Sequence, residues 1–292
     1  MLGLACGDAL GGPVEFESRT EIERRYSRGL REFVGGGWLH LAPGEITDDT
    51  QMTLALARSL ADCPNLDMED LTARFLGWLG SKPKDIGGTT RTALLLLEKG
   101  VPWQEAGERV AQGGRAAGNG SVMRCAPVAL RYRGDADALR QASLDTARIT
   151  HADPRCTWGA VAVNQAIAWL LEGGTKDGAI DAAVTGVEHA EVCACVRAAA
   201  SRERNDVKSG GYVVNTIGAA MWCLLRHETL EETIVAAVAL GDDADTTGAV
   251  AGALAGAHHG AQAVPARWFD LLQPREELEG LAVRLLERNQ AG

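Results

Sequence analysis

WGAVAVNQAIAWLLEGG, residues 158–174, decides the fold class. Its apolar residues recur at the i, i+3, i+4 spacing of one helix face, and a Gly-Gly pair stops the run. The same period returns in TLALARSLADC (53–63), DLTARFLGWL (70–79), RTALLLLEKG (91–100) and DALRQASLDTARI (137–149). It returns again in VNTIGAAMWCLLRH (214–227), LEETIVAAVAL (230–240), TGAVAGALAGAHHG (247–260) and ELEGLAVRLLERN (277–289). Only short pieces such as REFVGG (31–36) and YVV (212–214) are β-like. A chain of 292 residues is long enough for two domains, but no Pro/Ser linker, charge block or repeat divides it. The expected fold is therefore all-α, a single-domain orthogonal helical bundle over 1–292. Its least regular segments are 11–51, 80–90, 112–125 and 202–212, the places where a helical protein tends to carry its chemistry.

Composition narrows the function. Aromatics supply 5% of residues against 35 Gly, so the core must pack through small side chains, with helices in close contact. The charge sum, 29 − 39 = −10, argues against a nucleic-acid surface, which carries a basic patch. It leaves room for acidic clusters that bind cations. Seven cysteines (Cys6, Cys63, Cys125, Cys156, Cys193, Cys195, Cys223) form no CxxC pair, which fits free thiols in a reducing cytosol. Cys193-Ala-Cys195 lacks a second Cys/His pair at zinc spacing. MLGLACGDALGG (1–12) has no basic n-region and is interrupted by Asp8, so it does not read as a signal peptide. No apolar run reaches the about 20 residues a membrane helix needs. A cytoplasmic monomer without nucleic-acid or membrane partners is the expectation.

Two acidic clusters open helices. Thr47-Asp48-Asp49-Thr50 precedes one, and Asp242-Asp243-Ala244-Asp245-Thr246-Thr247 precedes another. Taken singly, each reads as a helix cap with acids on the favourable end of the helix dipole. The second strains that reading, because three carboxylates within four residues repel one another unless a cation sits between them. Taken together, the clusters offer carboxylates and Thr hydroxyls, hard oxygen donors suited to Mg²⁺ or Mn²⁺ rather than Zn²⁺. Gly118-Asn119-Gly120-Ser121-Val122-Met123-Arg124 reads either as a turn with Ser121 as N-cap or as a Gly-rich loop that cradles phosphate. Glu15, after a Gly-rich break, reads either as an ordinary exposed acid or as a loop residue covering a site. Trp38 is equally placed to line a cleft or to sit in the core, and His258-His259 read as structural.

These residues carry a resemblance. The chain resembles the ADP-ribosylglycohydrolase family, and most closely its bacterial dinitrogenase reductase-activating branch. The matching stretches run in family order: GLACGDALGGPVEF (3–16), GGGWLHLAPGEITDDTQMTLALARSL (35–60), LGWLGSKPKDIGGTTR (76–91), GNGSVMRCAPVAL (118–130), ARITHADP (147–154), GGYVVNT (210–216) and GDDADTTGAVAGALAGA (241–257).

The resemblance implies a compact all-α fold with two divalent cations in a cleft. The reaction it implies is hydrolysis of the N-glycosidic bond between ADP-ribose and an arginine side chain of a target protein, releasing ADP-ribose. By the same resemblance, Thr47, Asp48, Asp49, Asp243, Asp245 and Thr246 are metal ligands. Asp85 is a general acid/base, with the ion-bound Asp49 or Glu15 handling the water. Gly118, Asn119, Gly120, Ser121 and Met123 hold the diphosphate and distal ribose, His151 contacts substrate, and Tyr212 packs on the nucleotide. Asp242 stands where the branch usually has Gly. Direct displacement and ring opening both remain open, as do two alternatives: hydrolysis of another ADP-ribose linkage (O-acetyl-ADP-ribose or ADP-ribosyl-serine) and non-catalytic ADP-ribose binding.

Overall fold

The computed structural model describes residues 1–114 and 117–288. Arg115-Ala116 of the 112–125 loop and Asn289 of the 277–289 segment lie outside the described residues. The N-terminal part carries α1 (Leu2–Gly11), α2 (Arg19–Arg25), α3 (Asp48–Asp62), α4 (Met68–Gly80) and α5 (Gly88–Glu98). The middle carries α6 (Trp103–Gln112), α7 (Ala126–Tyr132), α8 (Ala136–Arg148), α9 (Pro154–Leu171), α10 (Lys176–Val184) and α11 (Ala190–Ala198). The C-terminal part carries α12 (Val213–Arg226), α13 (Leu230–Val238), α14 (Ala244–His259), α15 (Ala266–Phe269) and α16 (Arg275–Arg288). Among the described residues there is no sheet. The β-like pieces reduce to isolated bridges, Gly36 with Leu41 and Gly118 with Tyr212, beside a third between Ser18 and Gly241. The fold is all-α.

α14 is the hub. It packs on α1, α13, α12 and α9, and its residues from Ala244 to Ala255 are all buried. α1 is buried from Leu2 to Gly11 and lies antiparallel against α14, with Gly3 at Gly252, Gly7 at Gly248 and Gly11 at Asp245. A methyl group at Gly7 would lie 1.9 Å from the Gly248 carbonyl oxygen, and one at Gly3 would lie 2.2 Å from that of Gly252. Only hydrogens fit, so the backbones approach as closely as in small-xxx-small helix pairs. The pairing brings the C-terminal end of α1 to the N-terminal end of α14, where Asp245 sits.

α1 carries no amphipathic period because every side of it is covered. Periodicity alone therefore misses it, and its three glycines weigh against a helix by propensity. α2 falls in a stretch expected to be irregular; a Ser18–Glu21 capping box starts it. Peripheral helices start on their own side chains: Asp67 caps α4, Asp135 α8, Asp153 α9, Thr175 α10 and Thr229 α13. The helices that begin at Asp48, Gly88 and Ala244 have no such bond from their N-cap residues, Thr47, Gly87 and Asp243. All seven cysteines are free. No described helix is long and apolar enough to cross a membrane.

The glycine contact predicts a contrast measurable by urea denaturation. Gly7→Ala forces α1 off α14 and should lose about 2 kcal/mol or more, the cost of overpacking a backbone contact that cannot yield. Gly77→Ala, on the exposed face of α4 with nothing within 4 Å of the added methyl, should gain about 0.5–1 kcal/mol from helix propensity. Equal effects at the two positions would refute the close-packing account.

Candidate active site

The site begins with Asp8, an acid on the fully buried α1 with no exposed surface. Its carboxylate accepts the Thr47 backbone N–H at 3.0 Å, the Thr47 hydroxyl at 2.8 Å and the Thr50 backbone N–H at 3.0 Å. Asp8 thus caps α3 from a neighbouring helix. Thr47 occupies the N-cap position of α3 without making the cap bond itself, which leaves the TDDT side chains to face elsewhere. Asp8 escaped the sequence analysis as a site residue; its signal is a single acid inside an otherwise apolar, glycine-rich helix.

The two acidic helix starts meet. The Thr47 hydroxyl lies 3.4 Å from Asp49 Oδ2 and 3.5 Å from Asp245 Oδ2, and the Thr246 hydroxyl lies 3.4 Å from Asp49 Oδ2. Asp49 Oδ1 is buried with no hydrogen-bond partner. Asp85, from the loop before α5, folds back on them: its carboxyl is within hydrogen-bonding reach of Asp48. Oxygens of Glu15, Asp85 and Asp245 all lie within 4.8 Å of one another. Asp243 accepts the Asn119 amide at 2.9 Å, which ties the Gly118–Met123 loop to the second acidic cluster.

Among the described residues, none of Asp8, Glu15, Asp48, Asp49, Asp85, Asp243 and Asp245 is ion-paired with a Lys or Arg. Burial, reinforced by neighbouring acids, pushes Asp48, Asp49 and Asp245 well above the usual carboxylate range. Burial pushes Glu15 up to about 8, against the pull of the Trp38 indole N–H donating to it at 2.8 Å. Buried acids without cationic partners either hold protons or hold metal. An all-oxygen donor set with an orphaned buried carboxylate oxygen fits a hard divalent cation.

A cavity of about 440 Å³ opens over this cluster. Glu15, Asp48, Asp85, Asp243, Asp245 and Thr246 line it, together with Gly118, Asn119, Gly120, Met123 and His151. Thr47 and Asp49 are buried and are not among the lining residues. Ser121 is also outside the lining: its hydroxyl donates to the Cys156 carbonyl at 3.1 Å and does not cap α7. Tyr212 stands beside the cavity rather than in it. Arg155 lies over its ring at 5.5 Å, and its hydroxyl donates to Glu191 at 2.6 Å.

The Gly118–Met123 loop is held from below by Arg124, which is almost fully buried. Its guanidinium donates to the Gly120 carbonyl and to the Thr150 hydroxyl, both at 2.7 Å. The same hydroxyl lies 2.7 Å from His151 Nδ1. Burial lowers His151 to about 3, so the ring is neutral and carries one hydrogen on its two nitrogens. Gly120 must be glycine here, since a methyl group would lie 2.6 Å from the His151 ring.

Asp242 is exposed and does not join the cluster. It holds the Glu15 segment instead: Phe16 N–H donates to the Asp242 carbonyl at 2.6 Å, and Asp242 N–H donates to that of Glu17 at 2.8 Å. Its φ of +56° is a left-handed conformation that Asp tolerates better than most residues, and that explains why glycine suits the position. Trp38 lines the cavity half-exposed rather than sitting in the core. His258 and His259 line a separate, mainly apolar cavity of about 550 Å³ between the N-terminal end of α1 and the C-terminal end of α14.

The carboxylate cluster predicts a pH dependence. Glu15 binds its proton more tightly folded than unfolded, so its contribution is complete below about 4.5 and is lost as pH rises through about 8. In EDTA, the melting temperature should fall across that window. Glu15→Gln, which cannot ionise, should flatten the fall. An unchanged slope in the variant would remove Glu15 from the cause.

The family model for ADP-ribosylglycohydrolases matches residues 1–292. The ADP-ribosyl-dinitrogen reductase glycohydrolase of Rhodospirillum rubrum is 37% identical over 95% of this chain and 90% of its own length. The ADP-ribosylarginine hydrolase Tri1 of Serratia proteamaculans is 30% identical over 98% of this chain and 77% of its own. The ADP-ribosylhydrolase ARH3 of Mus musculus is 28% identical over 82% of this chain and 76% of its own. A solved structure described as an ADP-ribosylglycohydrolase-related protein complex superposes with a TM-score of 0.84 at 35% identity, covering 99% of this chain and 95% of that one. The chain belongs to the ADP-ribosylglycohydrolase family.

Proposed function

We propose that this enzyme removes ADP-ribose from arginine side chains of target proteins, with two divalent cations, Mg²⁺ or Mn²⁺, as cofactors. The observation that carries the reading is the convergence of the α3 and α14 acidic starts with Asp85 and Glu15 beside the Gly118–Met123 loop. Support for the arginine linkage comes from relatives whose names carry it, the Tri1 hydrolases of Serratia proteamaculans and Pseudomonas putida, at 30% and 31% identity. An acidic rim also suits a cationic leaving group better than a neutral hydroxyl.

Thr47, Asp48, Asp49, Asp243, Asp245 and Thr246 are the residues that would hold the cations, which when bound supply Lewis-acid polarisation and a lowered water pKa. The chain's own groups do the rest. The Gly118–Met123 backbone and the His151 ring hold the diphosphate and distal ribose. A water oxygen bonds to the ribose C1″ as the bond from C1″ to the guanidine nitrogen breaks and its electron pair passes to nitrogen. Asp85, raised by burial beside Asp48, holds the proton that the leaving nitrogen takes. Glu15, which lines the cavity, orients the water and in its carboxylate form receives the proton; Asp49, which does not reach the cavity, serves the cations. Direct attack and prior ring opening use the same proton donor at different atoms.

The test is release of ADP-ribose from arginine- and serine-linked peptides with Mg²⁺, Mn²⁺ or EDTA. The arginine linkage should be cleaved, the serine linkage weakly or not at all, and EDTA should abolish turnover. Equal rates on both linkages would favour the broader hydrolase, and full activity after dialysis against EDTA would remove the metals. Saturating Mn²⁺ should raise the melting temperature, because it relieves repulsion in the folded state only.

Two substitutions separate binding from chemistry. Asp245→Asn should lose metal and turnover together. Asp85→Asn should keep both ions and ADP-ribose affinity while the single-turnover rate falls by roughly 10²–10⁴. Loss of an ion in Asp85→Asn would make Asp85 a ligand.

A further inference from the structure

Two large aromatic rings stand exposed at the cavity rim. Phe16 is 68% exposed and Trp38 51%; their ring centroids are 5.7 Å apart with the planes tilted by 37°, and both line the cavity. Neither placement follows from folding alone. Phe16 sits at φ +65°, a conformation that strains a bulky residue, and it buries little in return. The reciprocal backbone bonds with Asp242 hold it there. Trp38 follows Gly35, Gly36 and Gly37, all at positive φ, a turn that seats the Gly37 backbone against Gly12 and Pro13. The loop thereby delivers the indole next to Glu15, which accepts its N–H at 2.8 Å.

The pair therefore borders the trio of Glu15, Asp85 and Asp245 oxygens. A ligand group complementary to both must be flat, at least partly apolar on its face, and positively charged. A guanidinium meets all three conditions: it stacks on aromatic faces and its N–H fork matches carboxylates. A serine hydroxyl or an acetyl ester offers no cation to the rings.

We propose that the Phe16–Trp38 pair seats the guanidinium of the leaving arginine and is the specificity determinant that separates the arginine linkage from neutral ones. The inference rests on the arginine reading above. Glu15 anchors the indole through its N–H, and the ring faces provide the cation–π surface. The diphosphate and distal ribose stay with the Gly118–Met123 side of the cavity, so the pair affects the leaving group and leaves ADP-ribose affinity alone.

The experiment compares the Mn²⁺-supplied wild type with Phe16→Leu, Trp38→Leu, Trp38→Phe and the double Leu variant on arginine- and serine-linked ADP-ribosyl peptides. ADP-ribose affinity is measured by calorimetry on the same preparations, which also verifies that each variant is folded. Each Leu variant should lose about 2- to 30-fold in kcat/KM on the arginine-linked peptide, the range of a cation–π contact of about 0.5–2 kcal/mol at 1.36 kcal/mol per tenfold. The double variant should lose at least about tenfold, and ADP-ribose affinity should stay within twofold. Trp38→Phe, which keeps a ring and drops the N–H, should recover most of the Trp38→Leu loss. A double variant within twofold of wild type on the arginine-linked peptide overturns the inference and leaves the arginine reading intact. So does Trp38→Phe falling as far as Trp38→Leu, since the indole N–H and not the ring face would then be responsible. A wild type that cleaves only the serine-linked peptide overturns the arginine reading and this inference with it.

Discussion

The contact on which the rest of the structure depends is the backbone approach of α1 to α14. At Gly3, Gly7 and Gly11 the two helices meet with no side chain between them. The approach sets the depth at which Asp8 stands relative to Asp245. Asp8 then sets where α3 starts, by accepting the N–H groups of Thr47 and Thr50. Only after both steps are the Thr47 and Thr246 hydroxyls near the same Asp49 oxygen. Two glycine rows and one buried carboxylate thus convert segments from opposite ends of the sequence into one cluster of oxygens.

A second device positions the other half of the cavity. Arg124 is a cation almost completely removed from water, yet it meets no carboxylate. Its donors go to the Gly120 carbonyl and the Thr150 hydroxyl, and its face covers Phe75 at 4.9 Å. Burial lowers it to about 10, which still leaves it charged near neutral pH. Hydrogen bonding and a ring face substitute for an ion pair, and the loop and His151 are locked to one scaffold. Asn119 then joins that scaffold to Asp243. The loop and the acids are coupled by direct bonds rather than by proximity alone.

α4, α8 and α13 were legible because they have a wet face and a dry face, showing the 3.6-residue period and carrying their own caps; α6, α10 and α11 were not read, although α6 also has an apolar face. α1 was illegible for the opposite reason, since a helix buried all round has no polar side to mark its phase. The clusters at Thr47–Asp49 and Asp243–Thr246 were legible because like charges packed in sequence demand an explanation. Asp8 gave a weaker signal, a lone acid in an apolar stretch, whose meaning depends on partners some forty residues away. Arg124 and Phe16 were hidden similarly, the first because a surface role is the ordinary reading of an Arg after a turn, the second because left-handed backbone at a Phe has no sequence mark. Trp38 stood open between cleft and core, and the three-glycine turn before it decided for the cleft.

The antiparallel pairing of α1 with α14 also bears on how the chain is made. α1 leaves the ribosome long before α14, so the long-range contact that buries both forms only after the whole stretch between them has been made. Until then α1 has neither its covering surface nor the geometry that presents Asp8 to α3, and a chain stopped before residue 244 lacks the Asp245 and Thr246 that complete the cluster around Asp49. The oxygen cluster is therefore a late product of synthesis: no shorter nascent fragment contains it, and a chain cut within α14 forfeits the N-terminal helix as well as the C-terminal one.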